Sequence, residues 1–255
     1  MPPPFPPDSK FAKAVHPSPN HGERRDVAGP DMLILHYTGM QDCEAALRRL
    51  CEEAQVSCHY LVFEDGRIVQ MVPEKMRAWH AGESSWEGVA DINSRSIGIE
   101  ICNPGHEFGY PDFPKKQIKS VIALCKDIVK RHKIRADRVL AHSDIAPDRK
   151  PDPGEKFPWD ELHRHGIGHW VKPEKIGADA GFCDGDHSSE IAAVQKQFRD
   201  YGYKIEPTGT FDETTKNIVL AFQRHFRPKR VDGVLDASTR VTLSKLFAIR
   251  PLSAV

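Results

Sequence analysis

Between residues 31 and 142, short apolar runs alternate with two amphipathic stretches. Asp31 to His36 (DMLILH) reads as a buried strand that ends on a histidine. Asp42 to Ala54 carries Cys43, Ala46, Leu47, Leu50, Cys51 and Ala54 at helical spacing, with Asp42 placed to cap it. Cys58 to Phe63 and Arg67 to Val72 are strand-like, and Asp65-Gly66 between them has the composition of a tight hairpin. Ser96 to Ile101 (SIGIEI) is a further strand. Pro114 to His132 is the clearest helix, with Ile118, Val121, Ile122, Cys125, Ile128 and Val129 on one stripe. Arg138 to His142 is one more short apolar run ending on a histidine. This alternation predicts an α/β fold, a small mixed β-sheet flanked by helices.

After Trp159 the texture changes. Residues 163 to 175 (HRHGIGHWVKPEK) read as a solvated linker. Beyond them lies an internal repeat: TGTFDETT from Thr208 is echoed by VDGVLDAST from Val231. Gly209 and Gly233 supply the turns, and Asp212 and Asp236 are placed to cap the helices that follow. Ile191, Val194 and Phe198 mark a preceding helix, Ile218, Phe222 and Phe226 the next, and Leu243 and Leu246 the last. The chain therefore divides into a Pro-rich arm (1–25) expected to wrap or dangle, an α/β domain (26–170), a linker (171–184) and a small three-helix domain (185–250).

Composition narrows the partners. The 36 basic residues balance 36 acidic ones, so neither nucleic acid nor an anionic membrane is favoured as a partner. No run is apolar and long enough to span a membrane. The first residues, MPPPFPPDSK, lack the apolar core of a secretory signal, which makes the cytoplasm the default expectation and the periplasm or cell envelope the alternative if the chain is exported. The six cysteines form no CxxC pair and are expected to be unpaired thiols.

The candidate chemistry sits around Ala141 to Trp159 (AHSDIAPDRKPDPGEKFPW). Four prolines stiffen this stretch, which is therefore not expected to form helix or inner strand. His36 and His142 both end predicted strands, where a sheet brings distant residues to one rim. With Asp152 they can form a two-histidine, one-carboxylate site that leaves a fourth position open, as in catalytic zinc centres. Glu100 lies inside an apolar run, where an unpaired carboxylate is costly unless it faces a cleft. It suits a general base, and Lys150 suits an oxyanion. On residues alone, structural histidines and a solvated Lys150 remain open as alternatives. Trp79, His80, Trp86 and Asn103 are candidate substrate contacts, with hydrophobic plugging as the other reading of the aromatic loop. His163, His165 and His169 are read as solvated, and Cys58-His59 as core.

Five strings resemble one family: HYTGM at His36, SCHYLV at Ser57, AWHAG at Ala78, SIGIEICNPG at Ser96 and AHSDIAPDRKPDPG at Ala141. Over about residues 28 to 160 they are similar to the zinc-dependent N-acetylmuramoyl-L-alanine amidases of the type-2 group, which share a fold with peptidoglycan recognition proteins. The C-terminal repeat looks like the three-helix peptidoglycan-binding module appended to such enzymes. The resemblance implies one Zn2+ per chain on His36, His142 and Asp152, with Glu100 and Lys150 as catalytic helpers. It implies peptidoglycan or muropeptides as substrate, cut between N-acetylmuramic acid and L-alanine. The rival expectations are a non-catalytic peptidoglycan sensor and a zinc peptidase acting within the stem peptide. Oligomeric state is not implied.

Overall fold

In a computed structural model, which describes residues 5–52 and 56–250, the α/β region is a six-stranded sheet. Its strands are β1 (Ala14–Val15), β3 (Met32–Tyr37), β4 (Tyr60–Val62), β5 (Ile68–Gln70), β7 (Ser96–Ile101) and β8 (Val139–Ala141). The order is β1-β5-β4-β7-β3-β8; β4 and β5 form the antiparallel hairpin expected at Asp65-Gly66, and the other pairs are parallel. A separate antiparallel ribbon joins β2 (His21–Glu23) to β6 (Met76–Ala78).

Residue alternation sorts the two faces. Leu33, Leu35, Ile97, Ile99 and Ile101 point to one side. There they meet the apolar stripe of helix α3 (Lys115–His132), including Ile118, Val121, Cys125 and Ile128. Helix α1 (Cys43–Cys51) begins where Asp42 accepts a hydrogen bond from the Glu44 amide; the expected extension to Ala54 falls outside the described residues. Met32, Ile34 and Leu140 point to the opposite side. They share a second core with the C-terminal helices α6 (Ser189–Tyr201), α7 (Glu213–Phe226) and α8 (Ala237–Ala248). The sheet is thus buried on both faces, as its near-continuous apolar strands require.

The C-terminal repeat has a common device. The Gln195 side chain accepts from the Gly209 amide and donates to the Thr210 carbonyl, and Gln223 does the same with Gly233 and Val234. Asp212 and Asp236 cap α7 and α8 through the Thr215 and Thr239 amides. Each Gly lies at positive φ (79° and 74°), so the turn needs it.

Several expectations are corrected. Of the two readings of the N-terminal arm, the described part wraps rather than dangles: β1 covers the β5 edge, and the Asp8 carboxylate accepts from Gln70 and from the Glu74 amide. Residues 1–4 of that arm lie outside the described residues. Cys43 and Cys102 are not free thiols but a disulfide, with Cα atoms 5.5 Å apart across 59 residues. Folding puts the first turn of α1 beside the end of β7, a proximity without local signal. His169 is buried and its Nδ1 lies 2.8 Å from the Tyr201 hydroxyl, so it is not a solvated linker residue. The stretch from Ala141 holds two helical segments, α4 (His142–Ile145) and α5 (Trp159–Arg164), on either side of its prolines. A further short helix, α2 (Ile92–Arg95), precedes β7. Among the described residues no helix is long and apolar enough to cross a membrane.

Candidate metal centre and active cleft

The site grows out of strand register. His36 pairs with Glu100, and Leu35 pairs with Ala141, so His142 follows at the level of His36. Partners in a parallel pair face the same side, so His36 and Glu100 stand in one row at the carboxyl ends of adjacent strands, with His142 next to them. The Ser143 amide donates to the Asp152 carbonyl, which folds the proline-rich loop back onto α4 and returns Asp152 to the row.

Three of the predicted residues converge. His36 Nδ1 lies 2.9 Å from His142 Nδ1, and Asp152 Oδ2 is 3.2 Å from the first and 3.0 Å from the second. Burial, with the neighbouring His142, lowers the His36 pKa to about 4, so its ring is neutral. Burial would raise the Asp152 pKa, but the two histidines outweigh it and hold the carboxyl ionised.

Tautomers follow from the hydrogen-bond chain. The Ser96 hydroxyl donates to the Ile92 carbonyl at 2.7 Å, so towards His80 Nε2 (3.2 Å) it accepts. His80, whose pKa burial holds well below the ordinary value, then offers a bare Nδ1 to the His36 Nε2–H at 3.0 Å. That leaves the lone pair of His36 on Nδ1. Likewise His142 Nε2–H donates to the Ala81 carbonyl at 3.2 Å, which turns Nδ1 towards His36 and Asp152. Two imidazole nitrogens and a carboxylate oxygen this close need a proton or a metal cation among them. Ligands about 2.0–2.1 Å from a tetrahedral zinc stand roughly 3.3 Å apart, close to the separations here. The donor set fits a metal ion, and each imidazole has the second-nitrogen partner that metal-bound histidines use.

His80 was expected at the substrate, yet both its ring nitrogens are spent inside, which makes it a support for His36. The support depends on Gly98: a Cβ there would sit 2.4 Å from the His80 ring. Gly98 faces the same side as Glu100, so the glycine of the SIGIE string is the space that the ring occupies. Trp86 is corrected too. It is fully buried, edge-on to Tyr201 and Tyr203 of the C-terminal region, and does not line the cleft. Asn103 is buried and spends its side chain on the Pro111 carbonyl and the Gly105 amide, so it shapes a turn.

A cleft of about 440 Å³ opens at His142 and Asp152, and its walls include Trp79, His80, Glu100, Lys150, Met40 and Arg49. Trp79 and an edge of the His80 ring thus both reach the cleft from this loop. Burial and the charge of Asp152 push the Glu100 pKa well above the usual carboxylate range, with Lys150 opposing, and its Oε2 is buried with no hydrogen-bond partner. Arg149, next to Lys150 and exposed, donates to the Ala81 and Glu83 carbonyls and ties the 79–89 loop to the proline-rich one. A protonatable carboxyl and an ammonium therefore flank a convergent ligand set in an open cleft. That arrangement suits metal-assisted hydrolysis.

Residues 25–155 match the family model described as N-acetylmuramoyl-L-alanine amidase. The chain belongs to this family. Residues 187–243 match a second model, described as a putative peptidoglycan binding domain. The N-acetylmuramoyl-L-alanine amidase AmiD of Escherichia coli (strain K12) is 37% identical over 228 residues, covering 85% of this chain and 82% of AmiD. A solved complex of E. coli AmiD with the substrate anhydro-N-acetylmuramic acid-L-Ala-D-gamma-Glu-L-Lys superposes with TM-score 0.74 at 34% identity, covering 90% of this chain and 97% of that one. The structure of AMPDH3 from Pseudomonas aeruginosa matches with TM-score 0.73 at 32% identity, over 87% and 94% of the two chains. The expected fold class and amidase activity agree with these matches, and the chain is an N-acetylmuramoyl-L-alanine amidase.

Proposed function

We propose that the cleft hydrolyses the amide between the lactyl group of N-acetylmuramic acid and L-alanine, in peptidoglycan or its muropeptide fragments, with one zinc ion on His36 Nδ1, His142 Nδ1 and Asp152. The convergence of those three atoms, with both outer ring nitrogens already engaged, carries the reading. Zinc with three protein ligands supplies a water acidified to a pKa of roughly 7 and a Lewis acid for the scissile carbonyl.

The chain's own groups do the rest. Glu100 takes a proton from the attacking water and returns it to the alanine nitrogen as the C–N bond breaks. Its raised pKa suits a group that must be base and then acid. The Lys150 ammonium faces the same cleft and offsets negative charge developing on the carbonyl oxygen. Trp79 offers an aromatic face to a sugar ring. The Cys43–Cys102 disulfide favours an oxidising compartment, and we place the enzyme in the cell envelope rather than the cytoplasm.

The test is mass spectrometry of products from whole sacculi and from soluble anhydro-muropeptides, with and without chelator. Intact stem peptides with a new L-Ala amino terminus, lost on chelation, are expected. Shortened stem peptides would make the protein a peptidase, and binding without turnover would make it a sensor.

A further inference from the structure

The C-terminal helices grip both supports of the ligand set. The first grip is on α4, the short helix that starts at His142. The Asp144 carboxylate accepts from the Ala141 amide at 2.8 Å, which caps that helix. It also accepts from the Tyr203 hydroxyl at 2.8 Å and from His225 Nδ1 at 2.7 Å, both from the C-terminal region. All three side chains are buried, and His225 stacks on Trp159 at 3.8 Å. Ile145, one residue on, lies in the core that the C-terminal helices form.

The second grip is on the 79–89 loop, which carries His80 for His36 and the Ala81 carbonyl for His142. Trp86 closes this loop against Tyr201 and Tyr203. The Glu87 amide donates to the Gly202 carbonyl at 2.9 Å. Gly202 is a glycine for this contact, since a Cβ there would meet the Trp86 ring at 2.4 Å. A flexibly tethered wall anchor has no use for buried polar bonds to a helix that carries a metal ligand, because each buried group costs free energy unless its partner is held in register.

We propose that the C-terminal module is part of the catalytic machinery: it holds the two elements that orient His36 and His142, with Tyr203 and His225 as positioning residues acting through Asp144. The proposal rests on the metal reading above and assigns the module a function besides wall binding. A pure tether contributes to activity on polymeric wall alone. A buttress contributes equally on a muropeptide too small to need a tether.

The experiment uses the full chain. Tyr203→Phe and His225→Leu remove the two donors; His225→Asn replaces Nδ1–H with an amide N–H and serves as rescue. Zinc affinity is read by competition with a chromophoric chelator, and steady-state kinetics are taken on a soluble anhydro-muropeptide and on sacculi. The double variant is expected to bind zinc about 10-fold more weakly, the low end of the range for a partner that touches a ligand directly, because Tyr203 and His225 act one residue further out. At sub-saturating zinc its kcat falls by a similar factor on both substrates with KM unchanged, and His225→Asn recovers most of both. Wild-type zinc affinity in the double variant, or a loss confined to sacculi, overturns the proposal. If the double variant does not fold, Tyr203→Phe alone carries the test, since it deletes one hydroxyl and keeps the ring. If the wild-type protein releases no L-Ala terminus, the amidase reading fails, while the zinc comparison still decides this one.

Discussion

Gly98→Ala is the sharpest probe of how the sheet supports the ligand set. Gly98 has an ordinary φ, so backbone strain is not at issue; space is. The added Cβ would lie 2.4 Å from His80 Cγ, 2.5 Å from Cδ2 and 2.6 Å from Nδ1. Carbon atoms rest at about 3.5–4.0 Å, so the ring must move by roughly 1 Å. It cannot retreat freely, because the Asn93 side chain accepts from both the His80 and Ala81 amides. Overpacking of this kind costs about 1–3 kcal/mol of stability. The displaced ring gives up its 3.0 Å bond to His36 Nε2, and loss of such a partner weakens metal binding about 10–100-fold, or roughly 1.4–2.8 kcal/mol. Competition with a chromophoric chelator reads the affinity, and thermal unfolding of the metal-free protein reads the stability. Adding His80→Ala to Gly98→Ala removes the clash, so the double variant should regain stability while keeping the weak zinc binding of His80→Ala alone. Wild-type zinc affinity in Gly98→Ala would refute the account of His80 as the support of His36.

Glu100→Gln should lower kcat at least about 100-fold, the range for loss of a general acid–base, while zinc affinity stays near wild type; an unchanged kcat would remove Glu100 from the proton path. Glu74 is buried beneath Arg131, His132 and Tyr60, and although burial alone would raise its pKa, these partners lower it from 4.5 to about 2. Its folded pKa is depressed, so its contribution of up to about 3 kcal/mol is fully present above pH 4.5 and is lost as pH falls towards 2. Urea titrations should show Glu74→Gln much less stable than wild type at neutral pH and nearly equal to it at pH 2; a gap independent of pH would contradict the linkage. Cys43→Ser opens a 59-residue loop, and the chain-entropy estimate for that closure is about 4 kcal/mol. A denaturation midpoint equal to wild type under oxidising conditions would show that the pair is not closed in solution.

Much of the site was legible because the family strings carry it. His36, His142 and Glu100 lie at or just past the ends of strands that apolar runs announce, Asp152 lies in the proline-rich loop, and the structure brings the three candidate ligands within 3.2 Å of one another. The aromatic loop was not legible. AWHAGESSW offers three ring residues that look alike in one dimension; only packing shows that Trp79 and His80 line the cleft, that His80 spends its ring nitrogens on His36 and Ser96, and that Trp86 plugs the C-terminal helices. The disulfide escaped for a related reason, since Cys43 reads as one more apolar position on a helical stripe.

The sequence by itself determined the types of the longer elements, the turns that need glycine, the capping aspartates and the candidate reacting groups. These depend on local periodicity, backbone conformation and side-chain chemistry, which short stretches carry. Only the tertiary structure decided which ring nitrogens face the metal position, that Gly98 makes room for His80, and that Asp144 is held by Tyr203 and His225 from 59 and 81 residues away. Those choices follow from strand register and from two cores packed on opposite faces of one sheet, and no local pattern of residues encodes them. The loop from Ala141 to Trp159 joins both kinds of information, because its chemistry is local and its aim is set by the C-terminal helices.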